Sequence, residues 1–323
     1  MRPAALLAAL ILSGAPGGYL WSADYPARPL RMIVGFPPGG GADIMARLIS
    51  EQLGERLGVQ VVVDNRPGAG SSTAAGLAAK AAPDGYTLLF STTSFTINPN
   101  LYQHVPYDPI RDFAPVSQVA SSPFVLVVQQ SMPVNSIGDL IALAKAKPGT
   151  LNYSSGGNGS TGHLAGELFN SMAGVHIQHV PYKGLAAALT DLLGGRVDIT
   201  LSSLPSCINY IKSNRLKALA ITTIRRMPLV REIPTMAEAG LAGYDVDQWY
   251  GVLGPAGMPD SAVQAVYGTL AKFLGHPDTA LSERFATLGA TPVATPPAEF
   301  TRFLRSNLAL WQKAVKLSGA KVD

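Results

Sequence analysis

Two glycine-rich turns hold the groups best placed to do chemistry in this chain. Residues 36–43 read Phe-Pro-Pro-Gly-Gly-Gly-Ala-Asp and stand between a strand-like apolar run at 30–34 and an amphipathic run at 44–57. Residues 154–161 read Ser-Ser-Gly-Gly-Asn-Gly-Ser-Thr and stand between the strand-like Leu151-Asn152-Tyr153 and another helical stretch. A glycine-rich turn that opens a helix leaves backbone N–H groups free to meet an anion. Two such turns in separate halves of the chain predict recognition: facing anion cradles that act as a clamp. Tight turns that merely cap two helices are the competing reading.

Enzymatic readings of the same residues are incomplete. Ile44 stands where a dinucleotide fingerprint needs its third glycine, and no Gly-Lys-Ser/Thr of a phosphate loop follows. The pattern Asn158-x-Ser160-x-Gly162 is a near miss to a nucleophile elbow, with His163 or His179 as imaginable bases. No paired acid is evident, so a serine hydrolase stays only an alternative. No two of His104, His163, His176, His179 and His276 form an i, i+4 pair with a carboxylate partner, which leaves a metal site unsupported. The chain is read as a non-enzyme without a cofactor.

The elements that position the turns follow from periodicity. Strands are expected over 30–36, 60–65 and 87–91, with helices over 43–57 and 71–81. The same alternation recurs over 151–222, with strands near 151–154, 177–180, 197–201 and 217–222. Strand and helix in alternation mean a mainly parallel sheet flanked by helices, an α/β fold. The apolar run at 124–128 leads from a first lobe into a second, and residues 248–253 lead back. Helical runs at 262–274 and 300–318 then complete the first lobe. The expected lobes are 24–125 with 248–323, and 126–247. A chain that crosses twice between lobes is the plan of a hinged binding protein, its ligand held between the carboxyl ends of the two sheets. Thr92, Thr93 and Ser94 follow a strand at such an end, as a hydroxyl contact or as a solvated turn. Trp249 and Tyr250 read equally as a cleft wall or as hinge core, and Cys207 as a small buried filler.

The composition sets bounds on the clamp. The chain has 323 residues, 47% hydrophobic and 14% charged, with a formal net charge of +4. Its Lys and Arg are scattered, which fits small anions and gives no footprint for nucleic acid. Arg2, the apolar stretch 4–12 and the small residues that follow resemble an export signal over 1–23. Cys207 is the single cysteine, so neither an internal disulfide nor a lipid-anchoring cysteine is available.

A series of motifs points to one family. Tyr25-Pro26-Ala27-Arg28-Pro29 comes first, followed by residues 37–43, Asn65-Arg66-Pro67-Gly68-Ala69-Gly70 and Ala82-Pro83-Asp84-Gly85-Tyr86. Later come Pro106-Tyr107-Asp108-Pro109, Asp112-Phe113-Ala114-Pro115-Val116, Leu164-Ala165-Gly166-Glu167, Val180-Pro181-Tyr182-Lys183-Gly184 and Ser318-Gly319-Ala320-Lys321. In this order and spacing they resemble the periplasmic solute receptors of tripartite tricarboxylate transporters, the Bug or TctC-like proteins, over nearly the whole chain.

The resemblance implies a two-lobed type II periplasmic-binding-protein fold. It also implies a receptor, read here as a monomer, that captures a small carboxylate and passes it to an inner-membrane permease. A ligand-sensing module that reports to a signalling partner is the alternative. Carried onto this sequence, the family's ligand turns supply Phe36, Gly39, Gly40, Gly41 and Asp43 on one side. Ser155, Gly157, Asn158, Gly159 and Thr161 stand on the other, with Tyr182, Lys183 and Gly184 at the adjacent strand end. Asp43 reads as a helix cap more than as a ligand contact, and Lys183 as an exposed lysine that can attract an anion. Where relatives commonly carry Asp-Asn, this chain has Ser202-Ser203. That departure implies a di- or tricarboxylate without an amino group, and Ser202 is the candidate contact there.

Overall fold

The computed structural model describes residues 25–320, and the export signal expected over 1–23 lies outside them. The first half runs β1 (Leu30–Val34), α1 (Gly41–Leu57), β2 (Val61–Asn65), α2 (Ser72–Ala79), β3 (Thr87–Thr92), α3 (Ser94–Leu101) and β4 (Phe113–Gln129). Next come α4 (Ile137–Ala146), β5 (Asn152–Ser155), α5 (Thr161–Ala173), β6 (Gln178–Pro181), α6 (Leu185–Leu193), β7 (Ile199–Ser203), α7 (Leu204–Lys212) and β8 (Leu216–Ile221). The chain ends with β9 (Asp247–Pro255), α8 (Asp260–Gly275), α9 (Thr279–Leu288), the short β10 (Thr291–Pro292) and α10 (Pro297–Ser318).

The strands form two sheet regions joined through β4. In the first, β1 pairs in parallel with β2 and β3, and β9 runs antiparallel between β3 and β4. In the second, β5 pairs in parallel with β6 and β7, while β7 and β8 flank the far end of β4 antiparallel. The β4 ladder changes partner near Pro123 and Phe124, from β9 to β7 and β8. This is the two-lobed periplasmic-binding-protein architecture. Thr222 stitches the seam: its hydroxyl donates to the Val246 carbonyl at 2.6 Å and accepts from the Phe124 amide at 2.9 Å.

Differences from the sequence expectation are local. The first helix starts at Gly41, two residues early, because Gly40 already serves as its extended N-cap. The stretch after β3 folds as α3. The run 248–253 lies within β9 of the first sheet region, so the chain has already returned by Asp247. Trp249 and Tyr250 prove to be core: Trp249 packs edge-on against Phe95 and Phe300, and Tyr250 stacks on Phe90. The C-terminal α10 serves two cores. Phe300 and Leu304 pack with Trp249 and Phe95, while Trp311 and Val315 pack with Tyr153, Leu164 and Phe169. Among the described residues no helix is long and apolar enough to cross a membrane.

Candidate functional site

The turn after β1 is shaped by backbone conformation and one buried carboxylate. Gly39 adopts φ +81°, a left-handed conformation that an L side chain rarely takes. Asp43, in the first turn of α1, is only 3% exposed. Its Oδ2 accepts from the Gly39 amide at 3.0 Å and from Arg47 Nε at 3.0 Å, and its Oδ1 accepts from Asn65 Nδ2 at 2.9 Å. Burial pushes the Asp43 carboxyl up, but these bonds and the Arg47 charge outweigh it and hold the carboxyl below its usual range. Asn65 Nδ2 also donates to the Phe36 carbonyl at 2.9 Å, so both ends of the turn are tied to β2.

The turn after β5 is held by neutral groups instead. Gly157 and Gly159 take φ +123° and +74°, and the Ser160 side chain caps α5 by accepting from the His163 amide. Ser155 Oγ lies 2.7 Å from His179 Nε2, and the Gly159 amide donates to His163 Nδ1 at 3.4 Å. The two imidazoles stack at 4.2 Å, with Tyr153 on the other face of His179 at 4.8 Å. Burial pulls His163 down to about 4. Burial, with His163 adding to it, pulls His179 down to about 3. Both rings are therefore neutral at ordinary pH. Ser155, which His179 holds, is itself fully buried, so this pair braces the turn from inside.

Between the turns lies an inner cavity of about 500 Å³, counting its open mouth. The N-termini of α1, α3, α5, α6 and α7 all open on it, through Gly40 and Gly41, Ser94, Thr161 and Gly162, Gly184 and Leu185, and Ser203. Each N-terminus presents unpaired N–H groups and roughly half a positive charge. The hydroxyls of Ser94 and Thr161 and the side-chain carbonyl of Gln248 are buried and have no hydrogen-bond partner within the protein. The Tyr250 hydroxyl lies beside Ser203 and Gln248 without a bond of good geometry to either. A buried polar atom left unpaired costs about 1–3 kcal/mol, so several around one cavity call for bonding partners from outside the protein. Phe36, Pro37, Phe124 and Leu185 supply apolar walls.

A wider outer chamber adjoins this cavity, sharing Phe36, Pro37, Gly156, Lys183 and Gly184 with it. Its floor includes Gly68, Ala69, Gly70 and Ser71, four consecutive residues at positive φ. Non-glycine residues in that region cost about 1–3 kcal/mol each, and Asn98 helps to hold them through bonds to the Gly70 carbonyl at 2.7 Å and to Ser72 Oγ at 3.0 Å. The walls already touch. A Cβ built at Gly70 would meet the Asn158 carbonyl at 2.7 Å, one at Gly184 would meet Pro37 at 2.9 Å, and Tyr102 OH donates to the Asn158 carbonyl at 2.9 Å.

The structure brings together only part of the expected site. Phe36, Gly40, Gly41, Thr161 and Lys183 line the inner cavity, and Gly157, Asn158 and Tyr182 line the outer one. Tyr182 directs its hydroxyl to Asp191 at 2.7 Å. Gly39 and Gly159 shape the turns without lining either space, and Asp43 is consumed by the bonds that pin its turn. Ser155 is likewise consumed by His179. Thr92 is buried and lines neither space, and Thr93 Oγ1 binds the Asp247 carbonyl and the Trp249 amide, both at 3.1 Å. Ser202 bonds the Ser203 carbonyl and lines neither space, because adjacent strand residues face opposite ways and Ser203 takes the cavity side. Sequence reasoning missed Phe124, Ser203 and Gln248 as cavity walls, and of the three hydroxyls it named after β3 only Ser94 lines the cavity.

Comparison with known proteins gives the family and the fold. Residues 45–319 match the tripartite tricarboxylate transporter family receptor. Protein BugT of Bordetella pertussis is 39% identical over 304 residues, 93% of each chain. R. palustris Rpa4515, solved with adipate, has a TM-score of 0.89 at 39% identity and covers 93% of this chain and 100% of its own. MatC from Rhodopseudomonas palustris, solved with bound malate, has a TM-score of 0.85 at 28% identity and covers 90% and 100%. The chain belongs to the tripartite tricarboxylate transporter receptor family, whose members are substrate-binding receptors.

Proposed function

We propose that this receptor captures a small di- or tricarboxylate without an amino group in the periplasm and delivers it to the inner-membrane permease of a tripartite tricarboxylate transporter. The observation that carries the reading is the inner cavity, where buried unpaired hydroxyls of Ser94 and Thr161 meet the N-termini of several helices. Those donors suit a carboxylate head group held without an arginine. Among the described residues no aspartate or glutamate lines either space, which leaves a ligand ammonium without a carboxylate partner. Adipate and malate in two family structures fall in the same chemical class. The export signal over 1–23 would place the receptor outside the inner membrane. Lobe boundaries near 125/126 and 247/248 fit β4 and β9 as the hinge segments.

The test is a thermal-shift panel on protein freed of carried-over ligand, covering mono-, di- and tricarboxylates, amino acids and aromatic acids. Ligand at about a hundred times its Kd adds about 2.7 kcal/mol, a rise of a few degrees in Tm for a chain of this size. A selective rise with di- or tricarboxylates is expected. A preference for aspartate or glutamate, or no response to any carboxylate, overturns the assignment.

A further inference from the structure

Resting on the carboxylate-receptor reading, we propose that Lys183 reads a second ligand charge. The receptor then selects an elongated dicarboxylate with an apolar middle over a monocarboxylate of equal length. Three observations on separate parts of the site converge on this. First, the donors that suit one carboxylate, Ser94, Thr161 and the N-termini of α1 and α5, line the inner cavity. Second, the cavity also has apolar walls, formed by Phe36, Pro37, Phe124 and Leu185, which suit a hydrocarbon segment. Third, Lys183 lines both the inner and the outer space, at their junction.

Among the described residues Lys183 is the one cationic side chain on either space, and no ion pair or hydrogen bond engages its ammonium. The arginines near the first turn are committed elsewhere: Arg47 binds Asp43 and Asn65, and Arg66 binds Asp64. A ligand held by its first carboxylate inside the cavity extends past the apolar walls toward the one uncommitted charge. A monocarboxylate would place a methyl group there, beside an ammonium that gains nothing from it. A ligand ammonium would be repelled.

The experiment is calorimetric titration of ligand-free protein with adipate and with hexanoate, for the wild type and for Lys183→Met. The side chain is exposed, so the variant should keep the wild-type Tm. The wild type is expected to prefer adipate. Lys183→Met should weaken adipate about tenfold, ~1.4 kcal/mol, and leave hexanoate unchanged. Lys183→Glu should weaken adipate further. Equal loss for both ligands, or no loss for adipate, overturns the role of Lys183 while leaving the receptor reading intact. Absence of binding by the wild type to either acid and to the wider carboxylate panel overturns the receptor reading and this role with it.

Discussion

The turn after β1 and the turn after β5 present the same kind of surface to the cleft, yet they are built from opposite chemistry. The first is organised by an ionised carboxylate, with Asp43 holding Gly39, Arg47 and Asn65. The second is organised by neutral rings, with His179 on Ser155 and His163 on Gly159. A glycine-rich turn thus needs only a scaffold that fixes its φ angles, and either a charge or a buried imidazole can serve. The difference shows in how the two turns answer to acid.

Acid is therefore the strongest way to separate them. Unfolded histidine takes up a proton near 6.5, while folded His163 and His179 resist until about 4 and about 3. Between those values the unfolded chain binds more protons, so stability is complete above pH 6.5 and falls as the pH drops. The loss is up to about 1.4 kcal/mol per pH unit for each ring. The Asp43 carboxyl is shifted the other way, so its contribution survives this window and is lost only below the ordinary carboxylate range. Chemical denaturation from pH 7 to 4 should show the decline, and His163→Gln should flatten it. A level profile across that range would remove the neutral-ring half of the comparison.

Deleting the charged scaffold comes next in size. Asp43→Ala removes an acceptor of several bonds and is expected to cost about 2–3 kcal/mol. Arg47, half exposed, can turn to solvent and leave no buried charge behind. A shift in Tm of less than a degree would mean that the glycines alone hold the turn.

The smallest effect distinguishes glycines needed for conformation from those needed for space. Gly159 has φ +74°, and a Cβ there would meet Asn98 Oδ1 at 2.5 Å and the Tyr102 ring at 2.7 Å. Gly159→Ala should destabilise by about 1–3 kcal/mol. Gly41 has an ordinary helical backbone, and its Cβ would meet chiefly the Ser203 hydroxyl, at 2.3 Å. Gly41→Ala should leave the Tm within about a degree, its penalty falling on closure over the ligand. Equal destabilisation by both changes would erase the distinction.

Much of this was legible in the sequence because it was written in local patterns. Alternating apolar runs and glycine stops placed β1 to β3 and β5 to β8 within a residue or two, and the motif series pointed to the family. The turns themselves were found because glycine spacing is a local signal. What each polar side chain does was less legible, since that depends on which face it takes. Ser202 and Ser203 differ only in strand parity, and Thr93 is drawn off by backbone groups more than a hundred and fifty residues away in β9. Gln248 carried no local mark at all. Its place on the cavity follows from β9 running between β3 and β4, a pairing of distant segments.

The double allegiance of α10 bears on how the molecule comes apart. One end of the helix is sealed into the core around Trp249 and the other into the core around Tyr153, so neither lobe can melt without exposing the apolar face of a helix it shares. Two lobes that look independent on paper are in this way one cooperative unit. Heating should produce a single calorimetric transition, and a chain ending before Pro297 should lose that unity and unfold in stages.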